Sequence, residues 1–339
     1  DRYDRDSSDI FALQDEISEA IVKALKLRLM PEERKAIERR GTSNAAAHNL
    51  YLMARQTYIT SQEYDTSSAE AIVRLCARAT EIDPHYAQAW ALMAIGHNKK
   101  REATGGGAGE GIAAAERALS IDPRLAEAYA IKAQILLSEG DPEGAAAAVA
   151  TALELDPESY EVNRSAGRLN YQLKRHKEAV RYYEKAAGLS EEDINSASVL
   201  MRAYTVLGDA DGRRRSAQRA LNRAEAILAH DPNNSMVAGY SAYALCALGE
   251  GERANSRMER ALLIDPKNFN LRYIFACALS VYLKDKEAAL QMLAPVFESI
   301  TDTFLPYVKI DPDLELLRDD PRFQAQIAAT ETRLAAMRQ

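Results

Sequence analysis

Residues 126–157 read AEAYAIKAQILLSEGDPEGAAAAVATALELDP, and this stretch decides the fold. Two blocks of strong helix formers, Ala, Leu, Glu and Gln, flank the breaker Glu139-Gly140-Asp141-Pro142. A second breaker, Leu155-Asp156-Pro157, closes the stretch. Proline suits such junctions because its missing N–H costs nothing in the first turn of a helix or in a linker. The pattern predicts helix, turn, helix, turn.

The unit repeats, and internal repeats outrank every other signal. Asp-Pro after an aliphatic residue recurs at Ile82-Asp83-Pro84, Ile121-Asp122-Pro123, Ile264-Asp265-Pro266 and Ile310-Asp311-Pro312, with His230-Asp231-Pro232 as a variant. Pro123 and Pro157 lie 34 residues apart, as do Pro232 and Pro266. The 75 residues from Pro157 to Pro232 hold two repeats and an insertion, the first of them ending at Glu191, where the proline is lost.

Counting back from each repeat end, small residues return at fixed offsets. Ala152, Ala186 and Ala261 share one offset, Ala145, Ala179 and Ala254 a second, and Ala133, Gly167 and Ala242 a third. Antiparallel helices approach closely only where one side offers a methyl group or a hydrogen. Tyr129, Val149, Tyr183, Leu200, Tyr204 and Met258 are the larger side chains expected to fill the space around those contacts. Further breakers stand at Leu207-Gly208-Asp209 and Leu248-Gly249-Glu250-Gly251.

This spacing of small residues and closing prolines resembles the tetratricopeptide repeat. The resemblance covers most of the chain and implies about seven units, near 47–84, 87–123, 126–157, 160–191, 194–232, 235–266 and 269–300. The fold class expected is all-α, a right-handed superhelical solenoid of tetratricopeptide-like helix pairs with helical caps. Three parts are expected: an N-terminal helical segment over 1–43, the solenoid over 44–300 and capping helices over 301–339.

The ends carry a second resemblance. Ser8 to Leu29 shows an amphipathic helix pattern with Ile10, Ile17, Ile21 and Leu25 on one side. Pro31-Glu32-Glu33 opens a short second helix that Gly41 closes. Asp1-Arg2-Tyr3-Asp4-Arg5-Asp6, with Asp9-Ile10-Phe11-Ala12-Leu13-Gln14-Asp15-Glu16-Ile17, resembles the junction between a TolB-like domain and tetratricopeptide repeats in a bacterial signalling family. The closing run from Asp311-Pro312-Asp313 to Pro321-Arg322-Phe323 is similar to that family's tail. The resemblance implies the C-terminal scaffolding region of a larger protein with a class III adenylate or guanylate cyclase, a winged-helix or occasionally a kinase domain upstream. That the chain opens at Asp1 rather than methionine agrees with a fragment. A final helix is expected from Pro321, capped by Asp320 and covering the last repeat.

Composition narrows the function. A formal net charge of -7 and a pI near 5.5 argue against nucleic-acid binding. Cys76, Cys246 and Cys277 form no CxxC pair, which favours a reduced, cytoplasmic compartment over a disulfide framework or zinc knuckle. No secretion leader opens the chain, and the charge-free stretch from Pro232 to Gly249 is too short and polar for a membrane span. Gly105-Gly106-Gly107-Ala108-Gly109-Glu110-Gly111 fits neither phosphate-loop pattern and reads as a turn. The five histidines show no metal-ligand spacing, and no serine or cysteine sits in a nucleophile motif. Trp90 reads as packing between helices. No catalytic residue, metal or cofactor is expected.

What remains is recognition. First helices of stacked repeats line a concave wall, and analogy with the repeat family places there Arg164, Arg168, Tyr171, Asn195, Arg202, Tyr243, Asn270 and Tyr273. Mixed Arg, Asn and Tyr side chains suit an extended peptide with acidic groups. Arg215, Arg219 and Arg223 form a second stripe at helical spacing, expected to be a solvated face neutralised by Glu225 and its neighbours. The function expected is a non-catalytic protein-interaction scaffold with a protein or peptide partner, no nucleic acid and no membrane. Self-association through the N-terminal helix is a further expectation. The alternatives are the C-terminal region of a cyclase and the oligomerisation arm of a transcription regulator.

Overall fold

The computed structural model describes residues 41–60, 66–104, 107–190, 193–300 and 304–337. The helices expected before Gly41 lie outside them. Every regular element among the described residues is helical, and the chain divides into two units, Asp1–Asp156 and Pro157–Gln339.

The first unit holds three antiparallel pairs: α1 (Ala45–Thr60) with α2 (Thr66–Ile82), α3 (Ala87–Thr104) with α4 (Gly109–Ile121), and α5 (Ala126–Ser138) with α6 (Pro142–Leu155). The second holds four: α7 (Tyr160–Gln172) with α8 (His176–Leu189), α9 (Ile194–Val206) with α10 (Ala210–His230), α11 (Ser235–Leu248) with α12 (Gly251–Ile264), and α13 (Phe269–Ala278) with α14 (Lys286–Ser299). A π-helical turn, Leu279–Leu283, extends α13. Then come α15 (Leu305–Ile310), a 3₁₀ turn (Pro312–Leu317) and α16 (Pro321–Met337). Seven pairs stand where the repeat spacing predicts them, and the insertion between Pro157 and Pro232 lengthens α10 to 21 residues.

Local chemistry explains the punctuation. Each Asp-Pro aspartate takes an extended or near-extended backbone, as a residue before proline must. At Asp83 and Asp122 the carboxylate then accepts the N–H two residues on, at 3.0 Å in both cases, and so fixes the turn. Helix starts are capped by Asp141, Asp209, Asn234, Asn268 and Asp285, each accepting the N–H three residues later. Gly140, Gly208 and Gly249 end first helices with φ of +83°, +70° and +80°, and Lys174 and Lys284 adopt the same hand in the pairs that lack the glycine.

The three small-residue positions are buried in every pair where they were counted. Ala145, Ala152, Ala179, Ala186, Ala254 and Ala261 expose nothing, and Ala133 and Ala242 at most 2%. Packing therefore depends on methyl-sized gaps between helix backbones. Gly167 marks the tightest: a Cβ there would lie 2.8 Å from Cγ and Cδ2 of Tyr183. In the second unit α16 covers the last pair. Phe323 stacks edge-on to Phe297 at 5.7 Å, and Arg333 donates to the carbonyls of Phe297 and Ile300. Asp320 accepts the Arg322 N–H at the start of α16, and its carboxyl is held well below the usual range chiefly by hydrogen bonds from Arg322.

Candidate functional site

First helices of the second unit stack side by side, α9 against α11 and α11 against α13, and form one wall. On α7 the residues Val162, Asn163, Ser165, Ala166, Gly167, Leu169 and Asn170 are buried. Arg164, Arg168 and Tyr171 remain half-buried and Gln172 exposed, so the helix turns a polar stripe outward. Arg164 pairs with Glu161 at 3.3 Å.

Arg202 on α9 is the centre of the site. Its guanidinium lies 5.7 Å from the ring centroid of Tyr171. Its Nε is 2.8 Å from Asp313 Oδ2, and its Nη2 is 3.6 Å from Asp311 Oδ1. Both carboxylates come from the capping segment, more than a hundred residues along the chain. Tyr273 on α13 donates its hydroxyl to Asp311, and Cys277 one turn later brings Sγ within 4.8 Å of both carboxylates. Tyr243 on α11 meets Tyr282 edge-on at 5.4 Å, with hydroxyls 3.3 Å apart. The π-helical turn after α13 places Tyr282 in that contact.

One guanidinium thus serves two carboxylates. Burial pushes the Asp313 carboxyl up to about 6; Arg202 opposes the rise and the neighbouring Asp311 charge adds to it. Burial raises Tyr243 and Cys277 well above their ordinary values and Tyr282 to about 12. Three ligand-type atoms stand together here, from Cys277, Asp311 and Asp313. Yet Arg202 already sits among them and the thiol stays protonated, so the chemistry is that of an ion-pair seat rather than a cation site.

The expected wall residues divide accordingly. Arg164, Arg168, Tyr171 and Arg202 occupy half-buried positions on α7 and α9. Asn195 lies on α9, and its side chain is outside the described residues. Tyr243, Asn270 and Tyr273 are only 4%, 9% and 8% exposed, and the first and last meet the chain's own Tyr282 and Asp311. Asp311 and Asp313 join the site, although the sequence presents them as a repeat ending and the start of the closing run, with no sign of a partner on α9 or α13. The arginine stripe on α10 also differs from expectation. Arg219 pairs with Glu184 of α8 at 2.7 Å, and Arg223 donates to the carbonyls of Asp193 and Ala187, so both clamp α10 to its neighbours. Arg215 alone of the three is exposed, and Glu225 pairs instead with Arg253 and Arg257 of α12.

In the first unit Gly107 and Ala108 of the glycine cluster precede α4, and Gly109 to Gly111 form its first turn. A cavity of about 160 Å³ beside it is lined by His97, Asn98, Arg101, Thr104 and Glu110. Its charges are matched internally: Arg101 pairs with Glu139 at 3.3 Å, and Glu110 lies 3.1 Å from His97. Trp90 packs half-buried and donates to the Pro84 carbonyl at 3.2 Å. None of the helices searched among the described residues is long and apolar enough to cross a membrane.

Residues 132–194 match the tetratricopeptide repeat family model. A protein of Rhizobium meliloti (strain 1021) named "Putative adenylate cyclase 3" is 37% identical over 95 residues, which is 28% of this chain and 16% of that protein. Among solved structures the chain is similar to one in the APC/C hetero-tetramer Cut9-Hcn1, at 14% identity and a TM-score of 0.51, covering 85% of this chain and 49% of that one. It is also similar to PilW, a type IV pilus biogenesis factor, at 18% identity and a TM-score of 0.45, covering 69% of this chain and 100% of that one. The chain carries tetratricopeptide repeats, matched over residues 132–194, in a fold of successive helix pairs.

Proposed function

We propose that this chain is a non-catalytic interaction scaffold whose second unit binds an acidic, extended segment of a protein partner along α7 and α9. The observation that carries the reading is the seat itself. Arg202 already pairs with two carboxylates two residues apart and Tyr273 donates its hydroxyl to one of them, the kind of contacts that select acidic peptides. Arg164, Arg168 and Tyr171 extend the same polar surface, and Asn195 on α9 belongs to the same proposed set.

The scaffold spans 44–300, with a capping segment over 301–339, and it serves as the regulatory part of a larger cytoplasmic bacterial signalling protein. The match to a cyclase-named protein favours a second reading, in which the parent makes a cyclic nucleotide and this region regulates it. A transcription regulator with this region as its oligomerisation arm is the third. Capture with the chain as bait, repeated with Arg164, Arg168 and Arg202 changed to alanine, tests the binding role. A partner held by the wild type and lost by the triple variant supports the wall as its site. A partner kept by the triple variant contradicts it.

A further inference from the structure

The segment between α15 and α16 is built differently from the rest of the second unit. Its backbone is satisfied largely from within. Arg318 folds back to donate to the carbonyls of Lys309 and, at 2.8 Å, Asp311, and Asp311 accepts the Asp313 N–H at 2.9 Å. Gln324 of α16 takes up the Arg318 carbonyl. The loop reaches the wall through side chains instead: Asp311 and Asp313 to Arg202 and Tyr273, and Leu314 and Leu317 into the apolar floor. Ile310 is 74% exposed, and Pro312, Glu315 and Leu316 face outward. The segment thus lies on the wall by its acidic and leucine side chains, while its backbone is bonded within the segment.

We propose that the loop Lys309–Arg318 is an internal ligand of the wall, with Asp311 and Asp313 occupying the place that the acidic pair of a partner takes. Partner binding and loop undocking are then coupled through one seat. The inference rests on reading the wall as a binding surface, and it names the partner's chemistry: a segment with two carboxylates two residues apart, followed by leucine-type residues, that can take the same 3₁₀ turn. A ligand that competes with a tethered copy of itself must overcome the tether's effective concentration, so the docked loop lowers the apparent affinity.

The test uses the full chain and a fluorescent peptide of its own residues 305–318, LPYVKIDPDLELLR, added in trans. Asp313→Lys sets an ammonium against Arg202 and should undock the loop. Anisotropy should show the peptide binding at least tenfold more tightly to Asp313→Lys than to wild type, and Arg202→Ala in that background should abolish the gain. Alkylation followed by mass spectrometry reports undocking independently. Cys277, which lies against the two carboxylates, should label at least tenfold faster in Asp313→Lys, while Cys246 keeps its rate. Leu314→Ala, which keeps every charge, should move both readouts the same way by less and serves if Asp313→Lys does not fold. Faster Cys277 labelling without peptide binding would overturn both the wall as a peptide site and the internal ligand. Unchanged Cys277 labelling, together with one lowered unfolding transition, would overturn the internal ligand alone and make the loop a fixed part of the core.

Discussion

Gly167→Ala should destabilise the second unit although alanine is the better helix former. Gly167 lies within α7, where replacing glycine by alanine ordinarily gains about 0.5–1 kcal/mol. Here the added methyl would stand 2.8 Å from Cγ and Cδ2 and 2.9 Å from Cε2 of Tyr183. Cγ is anchored one bond from Cβ, so the ring cannot swing clear. Its surroundings are closed as well, since Tyr183 is 4% exposed and packs with Ala179, Ala187, Leu200 and Tyr204. Overpacking of this kind costs about 1–3 kcal/mol, and the ring's anchored, closed setting puts Gly167 toward the upper end, a net loss of up to about 2.5 kcal/mol after the helix gain. The repeat supplies the control. Sixteen residues on from the small position stand Val149 after Ala133 and Met258 after Ala242, so alanine occurs with narrower partners and glycine with the tyrosine. Urea denaturation followed by circular dichroism should show a lower midpoint for Gly167→Ala, and adding Tyr183→Met should recover most of the loss. A midpoint at or above wild type for Gly167→Ala would refute the argument that a tyrosine-filled gap dictates the glycine.

Asp313 has its carboxyl raised to about 6, so between its ordinary value near 4 and pH 6 the folded chain binds more protons than the unfolded one, and stability from this group falls as pH rises through that window. The full difference is at most about 3 kcal/mol. Melting temperatures from pH 4 to 7 should therefore fall further for wild type than for Asp313→Asn, and parallel curves would contradict the assignment. Arg223→Ala strands the carbonyls of Ala187 and Asp193, and equilibrium denaturation should show a loss of about 1–3 kcal/mol. Arg215→Ala, on the exposed end of the same stripe, should change stability by less than about 0.5 kcal/mol in the same assay. The thiols of Cys76 and Cys246 are buried and pushed up to about 12, so neither should react with a thiol reagent at pH 8 until the chain unfolds.

Much of the fold is legible because it is local. Asp-Pro junctions, N-caps and left-handed glycines act within three or four residues, and small residues recur at fixed offsets, so seven helix pairs can be counted from the chain. Even Tyr183 over Gly167 falls within one repeat. The site is different in kind. Arg202 on α9 and Asp313 in the capping segment meet only through the stacking of the whole second unit, and no spacing in the sequence signals that contact. Asp311-Pro312 was read as one more repeat ending, which hid its second role as a partner for Tyr273 and Arg202. Analogy places Tyr243 and Tyr273 on the wall, but it cannot foresee that Tyr282 of the π-helical turn meets the first and Asp311 of the capping loop the second. The stripe on α10 failed for a similar reason: helical spacing finds arginines on one face, but whether that face meets water or the next helix depends on tertiary packing.

The most direct test of the central claim, that the α7–α9 wall receives the partner, is site-specific photo-crosslinking on the intact chain. A photoreactive residue at Gln172, the exposed member of the Arg164–Arg168–Gln172 stripe, should cross-link to the captured partner, and the linked peptide should carry acidic residues. The same residue at Arg181, exposed on α8, should not. Cross-links from position 181 with none from position 172 would place the partner on the second helices and contradict the account.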